Sequence, residues 1–172
     1  MHEQLDPSAD TGLTVFRCAA CDAALTGALR QLPAVPPPPF YAWWEAETPG
    51  PSPATVPTGC FAVETGPCGP SMATGTGVVP RERVPGANGQ PLIPRGPQGS
   101  IVLNPDDAFG LEVRHASAAC CGATPDGGMN QLCACGTLVA TLCSDCCLPY
   151  ELHLAADRVR AVRVRPPAAT GT

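Results

Sequence analysis

The chain contains no lysine; all ten basic residues are arginine. Aromatic residues make up 5 % of it, and three histidines occur among 172 residues. The formal charge is −5. The clustered positive charge needed to coat nucleic acid is therefore missing, and a nucleic-acid partner is not expected. No run approaches 18 consecutive apolar residues, which excludes a membrane-spanning helix. The opening Met1-His2-Glu3-Gln4-Leu5-Asp6 has neither the basic nor the apolar part of a secretory signal, so a cytoplasmic setting is expected. Catalytic motifs are also missing. There is no His-Glu-x-x-His, no Gly-x-Ser-x-Gly and no zinc-deaminase pattern, and Gly75-Thr76-Gly77 lacks the lysine of a phosphate loop.

Alanine, glycine, proline and arginine are abundant, filling 75 of 172 positions. Such a bias accompanies GC-rich coding, so proline and alanine counts alone carry little structural meaning. The eleven cysteines are more informative. In a chain without a secretion signal they should stay mostly reduced, and an odd number does not complete a disulfide framework. They are also grouped. Cys18 and Cys21 form one CxxC, and seven more lie between 120 and 147: Cys120, Cys121, Cys133, Cys135, Cys143, Cys146 and Cys147. Cys60 and Cys68 stand apart. Close spacing of reduced thiols points to metal ligation.

Residues 1–12 read as a polar arm and 166–172 as a tail, with one domain over 13–165. Leu13 to Arg17 is β-branched and aromatic and reads as a strand running into the first CxxC. Residues 22–32 read as a second hairpin strand or one helical turn. Residues 33–99 hold 16 of the 22 prolines and ten of the 18 glycines. Proline removes backbone donors, so this insertion is expected to form loops and no central sheet, with Gly59 to Glu64 its best strand and disorder in part of 46–58 and 80–99. Strand patterns return at 100–104, 111–115, 137–142 and 150–154, and 157–164 reads as a turn plus strand or a short helix. The 111–115 strand is a candidate partner of 100–104. The expected class is small and β-rich: zinc-ribbon-like antiparallel strands stapled by metal, with a Pro/Gly-rich loop insertion at 33–99.

A zinc knuckle is a tight turn after a strand that directs two thiolates at one ion, and two such turns supply a tetrahedron. Cys18-Ala19-Ala20-Cys21 fits the first. Cys133-Ala134-Cys135 can supply the second, because Gly136 follows where a knuckle needs a positive φ. Its spacing is one residue short. The alternatives are a local site from Cys133, Cys135, Cys143 and Cys146, or two ions drawn from both groups together with Cys120 or Cys121. Joining Cys21 to Cys133 closes a loop of 111 intervening residues, which costs about 4 kcal/mol plus a constant. A structural zinc site contributes roughly 10–16 kcal/mol, so distance does not forbid the long-range pairing. Zinc is the expected ion, and iron suits the same thiolates. Four sulfurs leave no open position, which favours a structural site over a catalytic one.

The stretch Cys120-Cys121-Gly122 to Cys133-Ala134-Cys135-Gly136-Thr137-Leu138-Val139-Ala140-Thr141, with Asp145-Cys146, resembles a family of short, uncharacterised actinobacterial (high-GC), cysteine-rich, zinc-ribbon-like proteins. Thr58 to Glu64 and Leu103 to Asp107 resemble further segments of that family, and together these cover about half of the chain. The resemblance implies a metal-binding fold and matches Cys18, Cys21, Cys121, Cys133, Cys135 and Cys146 to the family's cysteines. It implies no activity. The chain departs from the family pattern in the shortened Cys133–Cys135 turn, in Pro149, and in the extra Cys143 and Cys147.

His115 and His153 sit at polar positions of alternating strands and are expected to face solvent. Phe40, Tyr41, Trp43 and Trp44 supply half of the eight aromatics and are expected to cap the core, or else to anchor a partner. Arg158, Arg160, Arg163 and Arg165 are expected to form a solvated face. The expected function is a structural zinc-binding protein acting as a binding or adaptor module without catalysis. The alternatives are a thiol redox enzyme or sensor using its CxxC, and a nucleic-acid-binding zinc ribbon.

Overall fold

The computed structural model describes residues 12–39, 43–45, 47–48, 52–64, 99–114, 122–125, 128–146 and 148–165. Among them are nine strands and two short 3-10 turns: β1 (Leu13–Cys18), β2 (Leu29–Gln31), β3 (Cys60–Val63), β4 (Ile101–Leu103), β5 (Leu111–Val113), β6 (Gln131–Cys133), β7 (Leu138–Cys143), β8 (Glu151–Leu154) and β9 (Val159–Val164). They form one sheet in the order β5-β6-β7-β8-β4-β3-β2-β1-β9. β1 buries Thr14, Phe16 and Cys18 in strict alternation, as its β-branched and aromatic pattern requires. It pairs antiparallel with β9 along its whole length, from Leu13 opposite Val164 to Cys18 opposite Val159.

The sheet is curled. β1 and β6 are each second from an edge, at opposite ends of the strand order. Yet Thr26 bridges Ala108, and the Phe109 N–H donates to the Leu25 carbonyl at 2.9 Å. These contacts bring the strand order round upon itself. Inside the curl lie Phe16, Leu25, Phe61, Leu103, Val139, Leu152 and Leu154. Phe16 and Phe61 meet edge to face with ring centres 4.9 Å apart, the arrangement that ring quadrupoles favour.

Several expectations are corrected. The sheet is mixed, because β2 and β3 run parallel. A parallel pair needs a crossover of a dozen or more residues, and the proline-rich segment between them provides it. β3 itself is an interior strand, although it lies inside the stretch from which no central sheet was expected. Cys60-Phe61-Ala62-Val63 is a proline-free apolar run within it, so its ladder donors are intact. β5 pairs with β6 and not with β4.

His153 is fully buried and does not face solvent, and all four residues of β8 are buried. The cause is residues 52–57, part of the stretch in which disorder was expected. Ala54 bridges Tyr150, the Ser52 hydroxyl donates to the Leu148 carbonyl at 2.6 Å, and Val56 packs with Cys60 and Val102. This segment covers the face that alternation would leave wet. Trp44 is 61 % exposed and caps no core. His2, His115, Cys68, Cys120, Cys121, Cys147, Phe40 and Tyr41 lie outside the described residues.

Gly122 marks a close approach. A Cβ there would stand 2.4 Å from the Ser144 carbonyl oxygen. The Ala123 N–H donates to Ser144 Oγ, and the Ser144 N–H donates to the Ala123 carbonyl, each at 2.9 Å. Gly122→Ala is expected to destabilise the chain by about 1–3 kcal/mol, the cost of overpacking a rigid site. A lowered urea midpoint with unchanged slope would show it; an unchanged midpoint would contradict the packing described.

Candidate metal centre

Two turns from distant parts of the chain meet at one end of the curl. The first follows β1. The Cys18 N–H donates to the Ala23 carbonyl at 2.8 Å, and the Asp22 N–H donates to the Cys18 carbonyl at 2.9 Å. The second follows β6. The Cys133 N–H donates to the Thr137 carbonyl at 2.9 Å, and the Gly136 N–H donates to the Cys133 carbonyl at 2.8 Å. The turns share one plan, and the second closes one residue earlier. In each, the residue after the second cysteine is left-handed: Asp22 at φ 63° and Gly136 at φ 85°. Glycine takes that conformation freely, and an Asx residue is among the few others that tolerate it.

Asp22 is a supporting residue that sequence reasoning missed; an Asx directly after a CxxC is the signal that marks it. Arg17 Nε donates to its carbonyl at 2.8 Å and its carboxylate at 3.1 Å, and Arg160 also pairs with that carboxylate. Burial raises the Asp22 pKa, but the Arg160 and Arg17 guanidiniums outweigh it and hold the carboxyl below its usual range. Arg17 and Arg160 face each other directly across β1 and β9, and Asp22 separates their like charges.

The sulfurs of Cys18, Cys21, Cys133 and Cys135 all lie within 4.8 Å of one another. Cys18 Sγ is 3.8 Å from Cys135 Sγ, and Cys21 Sγ is 3.5 Å from Cys133 Sγ. A tetrahedron with metal–sulfur bonds of about 2.3 Å puts its sulfurs about 3.8 Å apart. The cluster could therefore hold a metal ion with little rearrangement. Cys18 and Cys133 are buried, whereas Cys21 and Cys135 are exposed. Burial pushes the Cys133 thiol up to about 12. The hydroxyl and amide of Thr137 stabilise the Cys135 thiolate and bring that thiol down to about 6. One sulfur is thus ready to bind at neutral pH, and another must yield its proton to the incoming ion.

Among the described residues this is the one group of three or more metal-ligating side chains within reach of a common ion. Cys143 and Cys146 are buried but do not join it. Cys143 pairs with Glu151 across β7 and β8 and shares its face. Leu142 and Leu152 point the other way, into the core that contains Cys133. The local arrangement of Cys133, Cys135, Cys143 and Cys146 is therefore not the one that the described geometry brings together. Cys121 and the two-ion arrangement that draws on it fall outside the described residues. Comparison with protein-family models, with curated proteins and with solved structures finds no match to this chain.

Proposed function

We propose that Cys18, Cys21, Cys133 and Cys135 bind one zinc ion as a closed structural site, and that the stapled sheet serves as a binding or adaptor module without catalysis. The observation that carries this reading is the meeting of four sulfurs from two similar turns, each placed after a strand. Paired knuckles of this kind make the centre zinc-ribbon-like, in line with the motif resemblance to the actinobacterial cysteine-rich family. Four thiolates fill a tetrahedron and leave no place for a reacting water. Iron suits the same donors, and colour in the purified protein separates it from zinc. Reduced thiols of this kind suit a cytoplasmic setting.

Elemental analysis of purified protein tests the reading. One zinc per chain is expected, and chelation should remove the cooperative thermal transition. Absence of both zinc and iron contradicts it. The exposure of Cys21 and Cys135 favours a second reading, thiol redox chemistry. Alkylation of the native protein separates the two: metal-held thiolates react slowly, whereas a redox Cys135 reacts within seconds at pH 7.

A further inference from the structure

We propose that the cavity between β6, β7 and β8 and the 105–111 segment binds a compact, uncharged molecule that pairs an apolar body with one N–H or O–H donor. The cavity has a volume of about 400 Å³, within the range of small-molecule sites. Its walls include Leu111, Leu142 and Leu152, with Phe109 at its edge. Phe109 is 51 % exposed despite its size. Among the described residues no arginine and no carboxylate lines the cavity, so they offer a charged ligand no counter-ion. The Tyr150 hydroxyl donates to Asp106 Oδ1 at 2.9 Å. Burial, reinforced by that carboxylate, pushes its pKa up to about 12, so this part of the wall stays neutral.

Gln131 makes the cavity a site. It is 4 % exposed and lines the cavity. Its Nε2 donates to the Asn130 carbonyl at 3.1 Å and to Asn130 Oδ1 at 3.4 Å. Its Oε1 has no partner among the described residues. A buried carbonyl left without a donor costs about 1–3 kcal/mol, which a bound N–H or O–H would recover. Alternation in β6 puts Gln131 on the same buried face as Cys133. The β6–β7 register shifts between Gln131 and Leu132, and such bulges re-aim side chains. Asn130 pins the shift: it accepts from the Leu142 N–H at 2.7 Å and donates to the Leu142 carbonyl at 3.0 Å. A glutamine placed on a core-facing strand only to fill space would be better replaced by leucine. Its free acceptor fits a ligand that donates.

Phenol and anisole test this on the intact, metal-loaded protein, because they share a ring and differ in the donor. In a heteronuclear NMR titration, phenol should shift the Gln131 side-chain amide and the Phe109 and Leu142 backbone amides in a saturable manner. It should bind about tenfold more tightly than anisole, the worth of one hydrogen bond. Gln131→Leu, shown folded by its spectrum, should remove that preference. Absence of saturable shifts at the cavity, equal affinity for phenol and anisole in the native chain, or an unchanged preference in Gln131→Leu would each overturn the proposal.

Discussion

Cys18→Ser is expected to abolish metal binding and, with it, the cooperative unfolding transition, while Cys60→Ala leaves both in place. Both thiols are buried, so lost burial does not separate them. Cys18 ends β1, opposite Val159 of β9, and its sulfur belongs to the four-thiolate cluster. Serine keeps the size but removes the soft donor. A structural zinc site contributes roughly 10–16 kcal/mol of apparent folding free energy, and net stabilities of domains are about 5–15 kcal/mol. Losing most of the first exceeds the second. Cys60 lies in β3 beside Val56 and Val102, with Arg30 Nη2 3.6 Å from its sulfur. Its truncation should cost about 1 kcal/mol. Near-UV circular dichroism during heating, with metal content measured alongside, reads both variants. A cooperative transition retained by Cys18→Ser would show that the ion does not hold the fold.

Glu151→Ala is expected to destabilise the protein by about 3–5 kcal/mol, because it removes a buried carboxylate that pairs with both His153 and Thr55. On a chain of this size each kcal/mol lowers the melting temperature by about 2–4 °C, so the shift should be readily measured. Glu151 and His153 are among the most buried residues of the chain. His153 Nε2 lies 2.8 Å from Glu151 Oε2, and His153 Nδ1 lies 3.2 Å from Ser100 Oγ. The Thr55 hydroxyl donates to Glu151 Oε1 at 2.6 Å. Truncation therefore takes the shared carboxylate from His153 Nε2 and from the Thr55 hydroxyl inside the protein. Replacing both Glu151 and His153 with leucine should recover part of the loss, because an apolar pair leaves fewer groups unsatisfied. A double variant no more stable than Glu151→Ala alone would show that the loss comes from packing volume and not from stranded polar groups.

The parts of this structure legible from sequence are those governed by local chemistry. Turn residues and β-branched runs mark β1, β4 and β7, and Gly136 marks the second knuckle's left-handed position; 157–164 alone is open between strand and helix, and its pairing with β1 decides it. Long-range consequences were harder to read. Alternation in Glu151-Leu152-His153-Leu154 indicates one wet face, and it is wrong because residues 52–57 return to cover that face. Nothing within β8 reports a cover supplied from about 100 residues away. The parallel β2–β3 pair has the same cause: register between distant strands depends on the crossover and not on either strand alone. The register shift at Gln131 and Leu132 is a property of the β6–β7 pair and leaves no trace in the three residues of β6. Among the cysteines, spacing nominated both Cys135 and Cys143 as partners of Cys133. Only the long-range meeting of the two turns separates them, because it brings Cys135 and not Cys143 to Cys18, Cys21 and Cys133.

X-ray absorption at the metal edge of the purified, metal-loaded protein tests the central claim most directly. Four sulfur scatterers at about 2.3 Å, with no nitrogen or oxygen in the inner shell, are expected from Cys18, Cys21, Cys133 and Cys135. An inner shell dominated by nitrogen or oxygen, or one with only two sulfurs, would mean that the two turns do not share an ion.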